Sequence, residues 1–173
     1  AVVTACATGA HAIGDAARLI ALDDADVMLA GGTEAAICRL GIAGFNACRA
    51  LSTGFNETPE KASRPYDKDR DGFLMGEGAG AVILEEYEHA RQRGADILGE
   101  VIGFACNNNG GDLILPNMNG ISETLRLGLK DAALNPDQVD FVSAHATGTK
   151  MGDVIEAQAI HAVYGAHPLV TGL

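Results

Sequence analysis

Basic residues are in short supply in this sequence. Twelve Lys and Arg stand against 23 Asp and Glu, giving a formal net charge of −11 over 173 residues. A surface that neutralises phosphates needs the opposite balance, so general nucleic-acid binding is excluded. No apolar run reaches the ~18 residues of a membrane span, and no secretory leader is visible. No membrane association is therefore expected. Cysteine is sparse as well: Cys6, Cys38, Cys48 and Cys106 form no C-x-x-C pair, and no Cys/His spacing suits zinc. Few cysteines and no leader point to reduced thiols in the cytoplasm. Long low-complexity segments are missing too. What remains is a globular composition, 47% hydrophobic and 20% charged, long enough for a domain with a core. "AVVTAC" opens without a lead-in and "PLVTGL" ends as a strand begins, so the sequence reads as part of a longer protein.

The scarce positive charge is unevenly placed. Arg39, Arg49, Lys61, Arg64, Lys68 and Arg70 cluster, with Glu57, Glu60, Asp67 and Asp69 among them. Two readings are open: a docking face for an acidic partner, or a solvated loop with local ion pairs.

Along the chain, Val2–Ala5 reads as the end of a buried strand. Ala10, Ile13, Ala17, Ile20 and Ala21 then recur at helical spacing. "ADVMLAGGTEA" reads as an apolar strand stopped by Gly31-Gly32. Positions 38–76 form an excursion with one short helix near Ile42–Leu51. "GAGAVILEEY" is a second buried strand, and "EEYEHARQRG" a helix ending at Gly94. A second series follows: a strand at "ILGEVIGFAC", a loop at "NNNGGDLILPNMNG", a helix over Ile121–Leu134, a strand at "VDFVSAH", a helix over Val154–Tyr164, and a strand starting at "PLVTGL". Strands alternating with helices predict an α/β fold with largely parallel sheets. The junction near Gly94–Leu98 divides two similar halves, 1–95 and 96–173.

Two short stretches nearly repeat each other: "VTACATG" at Val3–Gly9 and "VSAHATG" at Val142–Gly148. Cys6 is the middle residue of one and His145 of the other. Cys6 falls where a helix begins, and a helix N-terminus favours a nucleophilic thiolate; a buried, inert thiol is the alternative. His145 ends a predicted strand and is followed by Thr147 and Thr149. Such a histidine can exchange protons or hydrogen-bond an oxyanion, or it can simply be a core or capping residue. Asp153 and Glu156 share one face of the next helix. They read as a functional pair or as a solvated acidic first turn.

Taken together, "TACATG", "GGTEA", "GFNACRALST", "RPYDKDRDGFLMGEGAGAVILEEYEHARQRGA" and "AHATGTKMGDVIEAQAI", in this order, resemble the β-ketoacyl-acyl carrier protein synthases of the thiolase-like superfamily. The resemblance implies a thiolase-like αβαβα sandwich of two similar halves. Residues 1–95 would be the later part of the first half and 96–173 the early part of the second. It implies a condensing acyltransferase of fatty-acid or polyketide biosynthesis. Cys6 would accept the acyl group. His145 would serve decarboxylation of a malonyl thioester and stabilise the enolate. Thr147 and Thr149 would hydrogen-bond the phosphopantetheine arm, Phe45 would lie beside the acyl pocket, and Arg49 near the carrier-protein entrance. Asp153 and Glu156 would support the polar network around a lysine expected beyond Leu173, along with a second histidine and a Gly-rich loop. The implied partners are an acyl carrier protein, malonyl and acyl thioesters and a second copy in a homodimer. No cofactor beyond the carrier's phosphopantetheine is implied. Two departures stand out. Ala146 occupies a position usually held by Gly, and Ile114 and Leu115 occupy positions usually held by Thr and Ser. "TGTKMGDVIEAQA" looks closer to polyketide ketosynthase domains. The competing readings are a coenzyme A-dependent thiolase and a non-catalytic chain-length-factor-like subunit. "DRDGFLMGEGAG" and the His145 motif weigh against the first, and the presence of Cys6 against the second.

Overall fold

The computed structural model describes residues 1–112 and 114–172. The loop expected at Leu113 and the strand expected at Leu173 lie, at those two positions, outside the described residues. In chain order the elements are α1 (Thr8–Ala21), β1 (Val27–Glu34), α2 (Arg39–Ala47), β2 (Gly78–Glu85), α3 (Tyr87–Gln92), α4 (Met118–Asp131), β3 (Phe141–Ser143), α5 (Gly152–Tyr164) and β4 (Leu169–Thr171), with short 3-10 turns at Ala5–Ala7, Pro59–Lys61 and Pro136–Gln138. The chain divides into two compact units, residues 1–35 with 77–104 and residues 36–76 with 105–173.

In the first unit, β1 and β2 pair antiparallel, with Leu29 opposite Ile83 and Gly31 opposite Ala81. The expectation of largely parallel sheets fails here. Apolar content carries no strand direction, and antiparallel partners need no helical crossover; nor is β2 buried in this chain, where Ile83 is 69% exposed. Gly31-Gly32 does not stop β1. Both glycines lie within it, where the backbones crowd: a Cβ on Gly31 would stand 2.0 Å from the Gly80 carbonyl oxygen, and one on Gly32 3.3 Å from Gly9 Cα. Small residues likewise let α1 pack closely, with Gly14 and Ala16 buried. A Cβ on Gly14 would fall 2.2 Å from the Phe104 ring.

Two expected strands have no ladder partner among the described residues: Val2–Ala5 and "ILGEVIGFAC". The first gives way to the 3-10 turn at Ala5–Ala7. The second keeps Leu98 96% exposed while Phe104 packs on α1. A short apolar run becomes a strand only where a neighbour supplies hydrogen bonds.

In the second unit, β3 and β4 pair parallel, Phe141 opposite Leu169 and Ser143 opposite Thr171, with α5 as the crossover between them. Caps set the helix boundaries. Asn117 accepts from Gly120 N at 2.6 Å, so α4 starts ahead of the apolar Ile121, and Ala133 at φ 53° closes it. Cys38 Sγ accepts from Gly41 N at 3.4 Å and starts α2 at Arg39, earlier than the apolar spacing indicates. Gly72, at φ 150°, turns the chain where Leu51 bridges Phe73. Among the described residues no helix is long and apolar enough to cross a membrane.

The glycine contacts give a paired prediction. Gly31→Ala, which drives a methyl into the β2 backbone, should lower stability by about 1–3 kcal/mol. Gly44→Ala, in α2 with open space around the added carbon, should raise it by about 0.5–1 kcal/mol. Urea unfolding of the two variants reads both; a neutral Gly31→Ala would contradict the close β1–β2 approach.

Candidate active site

Cys6 lies in the first unit, in the 3-10 turn that leads into α1, and it is exposed. A buried thiol therefore does not describe it. Ala5, just before it, holds φ 51°, a left-handed conformation that an alanine adopts only when its surroundings enforce it. Here the enforcement is local. Thr8 Oγ1 accepts from Thr4 N and donates to the Ala5 carbonyl, both at 2.8 Å. Thr4 Oγ1 meets His11 Nδ1 at 2.6 Å, and the His11 ring stands edge-on to Phe104. The turn is thus braced from both sides of the sulfur. Exposure alone does not single out Cys6, because Cys38, Cys48 and Cys106 are exposed as well.

The second unit holds the other expected site residues. Phe45, on α2, packs edge-to-face on Phe73 at 5.1 Å between centroids and keeps 41% of its surface exposed. Arg49 follows α2 in a left-handed conformation, φ 54°, and is exposed. His145, Thr147, Thr149, Asp153 and Glu156 come together where the loop after β3 meets the first turns of α5.

That loop is held by carboxylates rather than by regular structure. Glu156 Oε1 accepts the His145 N–H at 2.7 Å, and Oε2 accepts the Ala146 N–H at 2.8 Å. The pair of bonds keeps Ala146 at φ 48°, the left-handed region that glycine enters freely and alanine does not. Asp153 is 1% exposed. Its Oδ1 accepts from Gly148 N at 2.9 Å and faces Thr147 Oγ1 at 3.5 Å. The Thr147 and Thr149 hydroxyls lie 2.9 Å apart, and Thr149 Oγ1 accepts from Gly152 N at 3.1 Å, satisfying an open N–H at the start of α5. A solvated acidic first turn does not describe Asp153.

Three further residues that order these loops were not among the site residues expected from sequence: Tyr66, Arg70 and Asp71. Tyr66 N donates to Asp153 Oδ2 at 2.7 Å, and its hydroxyl donates to Glu156 Oε2 at 3.0 Å. Burial, and then the neighbouring Glu156 carboxylate, push the Tyr66 phenol well above its usual range, so it stays a donor. Arg70 Nε stands 3.2 Å from Asp153 Oδ2. Its guanidinium also donates to the carbonyls of Asp67, Thr149 and Lys150 at 2.9, 3.2 and 2.6 Å. Asp71 turns the other way and gathers Ser52 Oγ and the N–H groups of Thr53 and Gly54. The Ser52 hydroxyl, with those N–H groups, holds its carboxyl below the usual range. The signal available in sequence was the run "RPYDKDRDG" itself: dense charge with a proline, no periodicity, and a place between two apolar elements. Part of the basic cluster is therefore used inside the unit. Among the described residues, no group of three or more His, Cys, Asp or Glu is arranged to hold a metal ion.

The family model of the β-ketoacyl synthase N-terminal domain matches residues 1–90, and that of the C-terminal domain residues 98–171. The chain belongs to the β-ketoacyl synthase family. Among curated relatives it is 57% identical over 166 residues to 3-oxoacyl-[acyl-carrier-protein] synthase 2 of Rhizobium meliloti, covering 95% of this chain and 39% of that one. It is 52% identical to the mitochondrial 3-oxoacyl-[acyl-carrier-protein] synthase of Arabidopsis thaliana, covering 96% and 37%. The chain thus spans about two fifths of the length of these relatives. Among solved structures it superposes with TM-score 0.96 on a β-ketoacyl synthase from Burkholderia phymatum, at 40% identity, covering 99% of this chain and 42% of that one. It superposes with TM-score 0.93, at 40% identity and covering 97% and 42%, on a chain from a type II PKS acyl-carrier protein in complex with its ketosynthase bound to the hexaketide. The thiolase-like α/β fold expected from the sequence is the fold of the chain.

The Arg70–Asp153 pair offers a direct test of how this ketosynthase-family site is held. Arg70→Met leaves a buried carboxylate without its cation, which should lower stability by about 3–5 kcal/mol. Equilibrium unfolding measures it; a loss within the range of an exposed ion pair would show that Asp153 needs no cation.

Proposed function

We propose that the protein is a condensing acyltransferase, a β-ketoacyl-acyl carrier protein synthase of fatty-acid or polyketide-type biosynthesis. The observation that carries the proposal is the loop after β3. His145 is exposed there, on a turn whose backbone is fixed by the Glu156 carboxylate, and it lies within a chain that has Cys6 exposed on its own braced turn. In this reading Cys6 Sγ attacks an acyl thioester. The acyl group moves to sulfur and the carrier's thiol leaves. A malonyl thioester then binds, and the bond to its carboxylate breaks. Carbon dioxide departs and the electron pair becomes an enolate, whose oxygen is hydrogen-bonded by His145. The enolate carbon attacks the acyl carbonyl on Cys6, a carbon–carbon bond forms, and the sulfur leaves as thiolate. The product is a β-ketoacyl thioester.

Thr147 and Thr149 take the phosphopantetheine arm in this proposal, as the resemblance to the family implies. Phe45, with one face open, lines the acyl pocket. Arg49, exposed and positive, meets the acidic carrier protein. Asp153 and Glu156 support the histidine loop. No metal or organic cofactor enters, because loss of carbon dioxide supplies the carbanion. The protein works as a homodimer in the cytoplasm. Its two family halves divide near Ala95, residues 1–95 and 96–173.

Separate measurement of carbon dioxide release and condensation product tests this in the intact protein. Cys6→Ala should abolish product. His145→Ala should slow decarboxylation by about 10²–10³-fold, the loss typical of one oxyanion donor. Normal decarboxylation by the His145 variant would remove its role. Full product formation by the Cys6 variant would point instead to a partner-subunit role for this chain.

A further inference from the structure

We propose that Tyr66 is a positioning residue for His145, acting through Glu156; the proposal rests on the assignment of His145 to decarboxylation. Tyr66 belongs to a loop far from His145 in sequence, yet it reaches both acids of α5. Its N–H goes to Asp153 and its hydroxyl to Glu156, at 2.7 and 3.0 Å. One residue does both because it sits at φ 62°, which turns its amide and its side chain toward the same helix end. A non-glycine residue holds that conformation only where several contacts enforce it.

The consequence falls on Glu156. Its Oε1 is occupied by the His145 N–H, while its Oε2 takes both the Ala146 N–H and the Tyr66 hydroxyl. A carboxylate on a long side chain has rotamer freedom that two amides of one turn cannot remove alone. The Tyr66 hydroxyl comes from a different segment and fixes the carboxylate plane, and that plane sets the direction of the His145–Ala146 peptide. The imidazole of His145 is exposed, so its aim depends on its backbone. Ala146 at φ 48° adds to this dependence, since an alanine released from its carboxylate relaxes out of the left-handed region. Arg70 anchors the same loop by a separate route, through Asp153 and the Thr149 and Lys150 carbonyls. Loss of the phenol oxygen should therefore loosen the histidine turn without releasing the loop.

The experiment uses Tyr66→Phe, which keeps the ring and removes the hydroxyl, in the intact protein. Malonyl-thioester decarboxylation should fall about tenfold, in keeping with loss of one hydrogen bond to a charged group. Acylation of Cys6, followed separately by mass spectrometry, should be unchanged. Hydrogen exchange of the His145 and Ala146 amides should quicken about tenfold, while exchange in α4 stays the same. In a Glu156→Gln background the further effect of Tyr66→Phe should shrink, because the two residues lie on one route. Unchanged exchange at His145 and Ala146 overturns the proposal. So does a variant that fails to fold, or one that loses both chemical steps equally, because either shows a merely structural residue. Should the unsubstituted protein release no carbon dioxide from a malonyl thioester, the decarboxylation role of His145 falls, and amide exchange together with the Glu156→Gln cycle decides the positioning role alone.

Discussion

One carboxylate shut away from water, that of Asp153, holds the loop that carries His145 in shape. Burying a charge costs several kcal/mol unless a counter-ion and directed hydrogen bonds replace its hydration. Asp153 has both: the Arg70 guanidinium at 3.2 Å and the N–H groups of Tyr66 and Gly148. Those partners come from the loop at 64–72 and from the turn that follows His145, so satisfying one side chain joins both to the start of α5. The closeness of that joining shows in the backbone. A Cβ on Gly148 would lie 2.7 Å from the Gly72 carbonyl oxygen, and both residues take φ values that suit glycine. The loops meet main chain to main chain, and the Arg70 guanidinium also donates to the carbonyls of Asp67, Thr149 and Lys150.

The two near-repeats, "VTACATG" and "VSAHATG", resolve differently in space. After Cys6 the chain enters α1 at once. After His145 it continues as a loop and reaches α5 only at Gly152. The left-handed alanine precedes Cys6 but follows His145, and the enforcing groups differ: a threonine hydroxyl at the first turn, a glutamate carboxylate at the second. The shared letters reflect a shared need for small residues around an accessible side chain. They do not reflect one motif copied twice. In both turns, backbone strain sits beside a residue assigned to chemistry, and local hydrogen bonds offset it.

How much was legible in sequence depended on the range of the interaction concerned. Helices α1, α4 and α5 follow from apolar spacing, a property of adjacent turns. The starts of α4 and α5 did not, because Asn117 and Thr149 satisfy N–H groups that periodicity ignores. The direction of β1 against β2 was out of reach, since the same apolar run serves either pairing. Cys6 and His145 stand out in sequence because their neighbours are small and the motif is specific. Tyr66 and Arg70 do not. Their contacts reach partners 87 and 80 positions away, and only the fold brings those positions together.

The basic stretch between Arg39 and Arg70 shows why charge read along a sequence needs division before it is interpreted. Arg70 faces inward and neutralises Asp153. Arg64 pairs with Asp67 at 3.2 Å and lies over the Phe55 ring. Arg39, Arg49, Lys61 and Lys68 remain exposed. Of the two readings open for this stretch, local ion pairs describe the first group, while the second group shares its exposed surface with Glu57, Glu60 and Asp69. Removing an inward charge changes the shape of the histidine loop. Removing an outward one changes only the potential felt by an approaching acidic surface, which governs encounter more than fit. The inward and outward charges of this stretch thus answer to different physics. They separate because Arg70 has carbonyls and a buried carboxylate to receive its donors, whereas the exposed bases face water.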